Sequence, residues 1–322
     1  MYDVIIIGGG PAGLTAAIYT ARKKLKTLVI TVDIGGQTNL TEHIENYPGY
    51  SEETPGYPSG PKLMNIFEEQ VKKFGVEFIF GKADSIEKTD DGFAVTLTNG
   101  EIYEATALIL AYGKVPKSLG IPGEEKFIGR GVSTCATCDA PVFSGKTVAV
   151  IGGGNSALES AELLTKFAKK VYIIHRRDEF RADEIMVEKI KTHKNIEIVL
   201  NSVPVEIAGS KFVESLAVED VKSGKKRQLT VNGIFVEIGY EVKSDMIKNL
   251  VDLNRSDEII TNENCETSHS GIFACGDVTN IAYKQTIISA GEGAKAGLSV
   301  YNYLQKLIGK EATSIDWGKS KI

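Results

Sequence analysis

Val4-Ile5-Ile6-Ile7-Gly8-Gly9-Gly10-Pro11-Ala12-Gly13 opens the chain, and Val148-Ala149-Val150-Ile151-Gly152-Gly153-Gly154-Asn155-Ser156-Ala157 repeats its plan. In each, four consecutive apolar residues predict a strand buried on both faces, and the glycines predict a tight turn. Behind the first turn Leu14, Ala17, Ile18 and Ala21 recur at helical spacing; behind the second, Leu158, Ala161, Leu164 and Ala168 do. Another apolar run follows each helix, at 27–30 and 171–174. A strand–helix–strand unit therefore occurs twice. The fold class is α/β, with two Rossmann-like dinucleotide-binding domains.

The glycines have separate tasks. Gly8 and Gly152 permit the turn, Gly10 and Gly154 let backbone approach a pyrophosphate, and the third position, Gly13 in the first copy, lets helix and strand pack closely. Pro11 and Ala12, like Asn155 and Ser156, then open a helix whose free N–H groups and positive dipole end suit phosphate. One such motif alone is as readily an ordinary tight turn; two, each with its own strand and helix, point to two dinucleotides.

The residues beyond the second strand of each unit separate the copies. At the second copy the strand runs into His175-Arg176-Arg177-Asp178-Glu179-Phe180-Arg181-Ala182. An NAD site wants an acid there for the ribose 2′-hydroxyl, whereas a 2′-phosphate wants cations, and the guanidinium fork suits it well. Arg176, Arg177 and Arg181 mark an NADP(H) site; the competing reading is a surface charge cluster balanced by Asp178 and Glu179. The first copy continues Ile30-Thr31-Val32-Asp33-Ile34 into Gly35-Gly36-Gln37, and Asp33 falls later than a ribose-binding acid should. Two nucleotide sites in one chain usually mean a flavin fed by a nicotinamide.

At 322 residues the chain calls for two domains. The formal net charge is −5 and no block of like charge is longer than Lys225-Lys226-Arg227, which argues against a nucleic-acid partner. The apolar run after Met1 is too short for an export signal or a membrane span, so the expected home is a reducing cytoplasm, without membrane attachment. Four cysteines there are not a disulfide framework. Cys135-Ala136-Thr137-Cys138 is a C-x-x-C directly before Asp139; Cys265 and Cys275 stand apart, and His43, His175, His193 and His269 show no metal spacing. A zinc knuckle would need two more ligands nearby, so no metal is expected. A redox pair needs only this spacing. Beside two dinucleotide folds the redox reading is favoured, with Asp139 able to move the proton a leaving thiolate requires, or else serving as a cap.

Taken in order, residues 8–13, Gly35-Gly36-Gln37, Glu45-Asn46-Tyr47-Pro48-Gly49, 135–139, 152–157, 175–182, 271–277 and 283–293 closely resemble the low-molecular-weight thioredoxin reductases of bacteria and archaea, over essentially the whole chain. The resemblance implies a discontinuous FAD-binding domain, 1–116 with 246–322, and an inserted NADPH-binding domain, 117–245, that carries the cysteine pair. It implies that Gly8, Gly10, Pro11, Ala12, Gly13, Gly35, Gly36, Gln37, Asn46 and Ala83 contact FAD, with Gly276, Asp277, Lys284, Gln285 and Thr286 from the last segment. Asp277 would bond a ribityl hydroxyl. Gly152, Gly154, Asn155, Ser156, His175, Arg176, Arg177 and Arg181 would hold NADPH.

The same resemblance implies that Cys138 lies nearest the flavin and that Cys135 attacks the partner. The expected acceptor is thioredoxin or a thioredoxin-like disulfide, with a homodimer as the assembly. A glutaredoxin-like or peroxidase-system acceptor is the nearest alternative; ferredoxin–NADP reductases of similar outline lack the cysteine pair. With nicotinamide and disulfide on one domain and a single flavin on the other, the inserted domain is expected to rotate between two half-reactions. Cys265 and Cys275 read as packing residues. Two departures stand out: Ala111-Tyr112-Gly113, where the family usually has Ala-Thr-Gly, and the loop Tyr240-Glu241-Val242-Lys243. Both are expected to affect local packing rather than the electron path.

Overall fold

A computed structural model of the chain describes residues 1–41, 44–51 and 56–310; His43 and the tail from 311 lie outside the described residues. The chain divides into two compact units, one built from 1–114 with the segment from 242 onward, the other from 115–241. In the first unit the order is β1 (Tyr2–Ile7), α1 (Pro11–Arg22), β2 (Thr27–Thr31), α2 (Gly60–Lys73), β3 (Glu77–Phe80), β4 (Ala83–Thr89), β5 (Gly92–Leu97) and β6 (Ile102–Leu110). The second unit contributes β7 (Val115–Pro116), α3 (Glu124–Phe127), β8 (Val132–Ser133), α4 (Ala136–Asp139), β9 (Thr147–Ile151), α5 (Asn155–Thr165), β10 (Lys170–Ile174), α6 (Glu184–Lys191) and β11 (Ile196–Val199). It continues through β12 (Ser202–Gly209), β13 (Val213–Asp220), β14 (Lys226–Thr230), β15 (Gly233–Val236) and β16 (Tyr240–Glu241), after which the chain returns to the first unit for β17 (Ile272–Ala274) and α7 (Thr286–Leu307).

The first sheet runs β3-β2-β1-β6-β5-β4, with β17 also on β6. Strands β1, β2, β3 and β17 pair in parallel around β6, while β4 and β5 extend the sheet antiparallel. Alternation explains the unbroken apolar run: Val4 and Ile6 pack with α1, α2 and α7, and Ile5 and Ile7 enter a second core with Val95, Val242 and Ile247. The second sheet, β11-β10-β9-β15-β8, is parallel throughout. Val148 and Val150 face α5, whereas Ala149 and Ile151 face the antiparallel sheet β12-β13-β14, which covers the side where a doubly wound fold would carry another helix.

The two chain crossings meet in one small ribbon. β7 and β16 pair antiparallel, Val115 opposite Glu241 and Pro116 opposite Tyr240. That ribbon belongs to the inserted unit, and Val242 is already in the first unit's core. The division therefore falls at 114/115 and 241/242, earlier at both crossings than the 116/117 and 245/246 expected from sequence.

Helix α7 lies on α1 through missing side chains. A Cβ on Gly293 would come within 2.1 Å of the Ala12 carbonyl oxygen, and one on Gly297 within 2.8 Å of Tyr19 Cβ. Gly291, on the same helix, has nothing within 4 Å of its missing Cβ. Two glycines in one helix are thus expected to respond oppositely. Gly293→Ala should destabilise by about 1–3 kcal/mol through overpacking against backbone, whereas Gly291→Ala should stabilise by roughly 0.5–1 kcal/mol through chain entropy. Denaturant midpoints of the two variants test this, and a shift of the same sign in both would refute the packing argument.

Candidate functional site

Each glycine turn sits where a strand end meets the backbone of a neighbouring strand's exit. A Cβ on Gly8, at φ +116°, would fall 2.3 Å from the Ala111 carbonyl oxygen just beyond β6; one on Gly13 would fall 1.9 Å from the Gly8 oxygen. In the second unit a Cβ on Gly152 would fall 2.3 Å from the Glu237 oxygen just beyond β15. By contrast Gly154 has open space where its Cβ would be, and Gly10 meets only the Gly35 oxygen, 4.0 Å away. The inner glycines are needed for packing and the outer ones leave room for a ligand.

The helices behind these turns are open to an anion. Neither α1, after Gly10, nor α5, after Gly154, has a side-chain cap or an acid in its first turn, and the same holds for α7 after Gln285. Helix α2 does not follow a glycine turn, and the Ser59 side chain caps it by accepting from the Lys62 N–H. At α1 and α5 the uncapped N-terminus combines free N–H donors with the positive dipole end, beside a turn where Gly8, Gly13 and Gly152 leave no room for a Cβ and Gly10 and Gly154 stay open. These two N-termini fit the phosphates of a dinucleotide.

Around the first turn the structure gathers most of the residues singled out from sequence. Gly35, at φ +102°, leads Gly36 and Gln37 into a short 3-10 turn, and Gln37 Nε2 donates to the Lys114 oxygen at 2.6 Å. Asn46 Nδ2 donates to Gln285 Oε1 at 3.0 Å, and the hydroxyls of Thr38 and Thr286 lie 3.4 Å apart. Gly276 packs against Ala12, and Asp277 accepts a bond from Ser289 Oγ at 3.1 Å. Lys284 Nζ donates to the Thr279 oxygen and lies 3.3 Å from Glu258, which also pairs with Lys114 at 2.6 Å. Burial pulls the Lys284 pKa below its ordinary value, with Glu258 opposing that shift. Ala83 begins β4, just past the end of β3, whose Phe80 pairs with Thr31 at the carboxyl end of β2. Asp33 is exposed and its carboxylate accepts the Gly36 N–H at 3.0 Å, so it is already engaged in shaping the turn.

The second unit holds a cleft of about 670 Å³ over its glycine turn. Gly152, Gly154, Asn155 and Ser156 form one wall, and Arg176, Arg177 and Arg181 line the β10 side. Two contacts fix the arginine loop to the turn. The Arg181 N–H donates to the Gly153 oxygen at 2.7 Å, and Asn155 and Asp183 exchange a reciprocal pair of bonds at 2.9 and 2.8 Å. His175 reaches the same cleft but is only 7% exposed. Its ring tilts against Phe180, fills the space beside Gly153, and bonds the Glu179 oxygen through Nε2 at 3.0 Å. A carbonyl only accepts, so Nε2 carries the proton. Burial, assisted by the three arginines, pulls this pKa below the usual imidazole value. His175 therefore supports the arginines as a neutral packing group.

Cys135 and Cys138 are joined in a disulfide with their Cα atoms 5.4 Å apart. Cys135 caps the one-turn helix α4: its Sγ accepts the Cys138 N–H at 3.1 Å, and its own N–H donates to Ser133 Oγ at 3.0 Å. Cys138 is exposed, Cys135 half-buried, and Asp139 follows on the same turn. Ala136 and Ala140 anchor the turn against the α5 core.

The cleft and the disulfide thus lie on one inserted unit. The sequence profile of the pyridine nucleotide-disulphide oxidoreductases matches residues 2–297. The chain belongs to that family. Among its members the chain is 40% identical over 307 residues to the thioredoxin reductase of Mycolicibacterium smegmatis, covering 94% of this chain and 97% of that one. It is also 40% identical over 304 residues to one component of the alkyl hydroperoxide reductase of Staphylococcus aureus, covering 94% of this chain but spanning only 59% of that protein's length. The crystal structure of Lactococcus lactis thioredoxin reductase superposes with a TM-score of 0.81 at 38% identity, covering 95% of this chain and 100% of that one. No helix among the described residues is long and apolar enough to cross a membrane.

The remaining cysteines of this oxidoreductase fold are sealed. Cys265 and Cys275 are both fully buried. The Cys265 thiol lies 3.3 Å from the Glu292 carboxylate, and burial with that carboxylate pushes its pKa up to about 12; Cys275 is raised well above the ordinary thiol value. Neither forms a thiolate at neutral pH. Tyr112, at a departure from the family pattern, packs in the core with Ile5 and Ile7, and its buried hydroxyl has no hydrogen-bond partner among the described residues. Sequence reading missed Ser160, Lys117 and Glu237, which border the second unit's cleft or hold a residue that does; the only signal was a Glu directly after the apolar run 234–236.

The neutral His175 gives a pH signature. Its folded pKa is depressed, so its contribution is fully present above the unfolded value near 6.5 and is lost as pH falls through that value toward the folded one. Urea midpoints should therefore drop more between pH 7.5 and pH 5 in the wild type than in His175→Gln. Equal drops would show that the ring is protonated without cost.

Proposed function

We propose that this chain is an FAD-containing reductase that draws electrons from NADPH and delivers them through Cys135 and Cys138 to thioredoxin or a thioredoxin-like protein disulfide. The observation that carries it is the disulfide built onto the same unit as a cleft with a phosphate turn and three arginines. When bound, NADPH supplies a hydride and FAD the ring system through which two electrons can reach sulfur. In this reading the FAD-binding domain is the first unit and the NADPH-binding domain the second. Gly8, Gly10, Pro11, Ala12 and Gly13 receive the flavin nucleotide's pyrophosphate at the N-terminus of α1, with 35–37, Asn46, Ala83, Gly276, Asp277 and 284–286 bordering the same end of the sheet. Gly152, Gly154, Asn155 and Ser156 receive that of NADPH, whose 2′-phosphate pairs with Arg176, Arg177 and Arg181.

The sulfur chemistry follows from α4. Two electrons and two protons open the Cys135–Cys138 bond to a dithiol. The Cys138 N–H directed at Cys135 Sγ favours the thiolate there over the thiol. Cys135 is therefore the nucleophile: its thiolate attacks the partner disulfide, one partner sulfur leaves as a thiolate, and a mixed disulfide forms. Cys138 then attacks Cys135 Sγ, restoring the internal bond and releasing the reduced partner. Asp139, next to Cys138 on the same turn, is placed to take the Cys138 proton and pass it to a leaving thiolate. The assembly in this reading is a cytoplasmic homodimer, and the reducing compartment suits the unpaired Cys265 and Cys275.

Steady-state assays on the holoenzyme test the reading. Cys135→Ser and Cys138→Ser should each lower thioredoxin reduction by a factor of at least about 10³, yet leave NADPH oxidation with ferricyanide near wild type. Full thioredoxin reduction by either variant would end the proposal, as would failure of the protein to retain flavin; glutaredoxin and a peroxidase partner serve as competing acceptors. Replacing Arg176, Arg177 and Arg181 with Gln should erase the preference for NADPH over NADH, mainly by raising KM for NADPH, with a loss of about 1–3 kcal/mol in binding. An undiminished preference would assign the cluster to surface charge.

A further inference from the structure

The cleft of the second unit is electrically lopsided. Its sheet order reverses at the crevice between β9 and β15, and a dinucleotide bound by this fold straddles such a crevice. The β10 side carries the three arginines. The β15 side carries Glu237, followed by Ile238, Gly239 and Tyr240, with Lys117 tied to the Gly239 oxygen at 2.9 Å. With the adenosine 2′-phosphate at the arginines and the pyrophosphate at the turn, the nicotinamide half falls to the β15 side.

Glu237 is built into that side. Its carbonyl oxygen occupies the place a Gly152 Cβ would take, so the residue stands directly beside the phosphate turn. Its Oε1 accepts a bond from Ser160 Oγ at 2.7 Å, and Ser160 is a buried residue of α5. Its Oε2 has no protein donor among the described residues. Half-burial raises the carboxyl pKa, with the neighbouring Glu159 adding to the rise and Ser160 opposing it. A carboxyl group is an odd resident of a cleft for a polyanion, since it can only weaken phosphate binding. It can accept hydrogen bonds from hydroxyl and amide groups of the coenzyme in either redox state, but the nicotinamide ring is the one part whose charge it can distinguish: the oxidised ring is a cation and the reduced ring is neutral.

We propose that Glu237 reads the redox state of the nicotinamide half of the coenzyme, its carboxylate holding the oxidised, cationic ring more tightly than the reduced, neutral one. The inference rests on the coenzyme reading above. Ser160 is the positioning residue that keeps the carboxylate at the crevice. Glu237 then tunes how firmly spent coenzyme stays bound, and so how strongly accumulating NADP+ competes with NADPH.

Calorimetric titration of the flavin-loaded, oxidised enzyme tests this without turnover. Three probes are used: NADP+, tetrahydro-NADP (a neutral-ring analogue that gives up no hydride), and 2′,5′-ADP, which lacks the nicotinamide half. In the wild type NADP+ should bind more tightly than tetrahydro-NADP. Glu237→Gln should lower that ratio by about threefold to fivefold, the size of one partly exposed charge contact, while 2′,5′-ADP affinity stays within about twofold. Intact 2′,5′-ADP binding also shows that the variant is folded. An unchanged ratio, or a change in 2′,5′-ADP affinity as large as that for NADP+, overturns the proposal and leaves the coenzyme site standing. Absence of 2′,5′-ADP binding to the wild type would instead remove the site itself.

Discussion

At two places in this chain a strand end, a helix start and a foreign carbonyl oxygen converge so closely that no side-chain carbon fits between them. Gly8 and Gly13 meet Ala111 and each other in the first unit, and Gly152 meets Glu237 in the second. Because a missing Cβ sets the distance, the helix N-terminus is brought to the crevice at the strand ends, and its N–H groups are left facing outward without a cap. A Ser or Asp cap would satisfy those donors and also occupy the place of a phosphate; Ser59 does the first on α2, where there is no glycine turn. Leaving α1 and α5 uncapped forgoes about 1 kcal/mol each, which bound phosphate is able to return.

The redox pair obeys a similar local logic. Four residues of helix cannot hold themselves together, so α4 depends on Ala136 and Ala140 packing on α5 and on the Ser133 hydroxyl bonding the Cys135 backbone. The consequence is directional: the N–H of one cysteine points at the sulfur of the other, so the two sulfurs are unequal before any partner arrives. Elsewhere the fold does the opposite with its thiols. Cys265 sits against the Glu292 carboxylate and Cys275 is fully buried, with Cys265 and Glu292 acting on it, and the pKa of each is raised above the ordinary thiol value.

Much of this was legible in the residues themselves. A run such as 4–7 or 148–151 has no alternation because both faces of the strand are covered, and that, with the glycines, gave the two dinucleotide folds directly. The arginines after β10 were legible for the same reason: a cation cluster at a strand end has a position as well as a charge. What could not be read was anything fixed by distant backbone. The role of His175 depends on Gly153 lacking a side chain and on the Glu179 oxygen; the place of Glu237 depends on β15 being the neighbour of β9, which comes about only after three antiparallel strands intervene. The end of the inserted unit is likewise hard to read in sequence, because a two-residue ribbon carries almost no pattern.

The two copies also show how one device is made to serve two nucleotides. Their turns are nearly interchangeable, so discrimination must come from what surrounds each. In the first copy the acid after β2 is drawn inward to bond Gly36, and the residue beyond β6 is followed by Tyr112, an apolar ring closing the core. In the second, the chain after β10 presents three guanidinium groups over a neutral histidine, and the residue beyond β15 is a carboxylic acid. The equivalent positions thus differ in charge at both ends of the crevice, cation against acid on one side and acid against carbonyl and ring on the other. In the reading proposed above, phosphate recognition falls to the backbone and is common to both; identity falls to the side chains flanking it, and those can change without disturbing the turn.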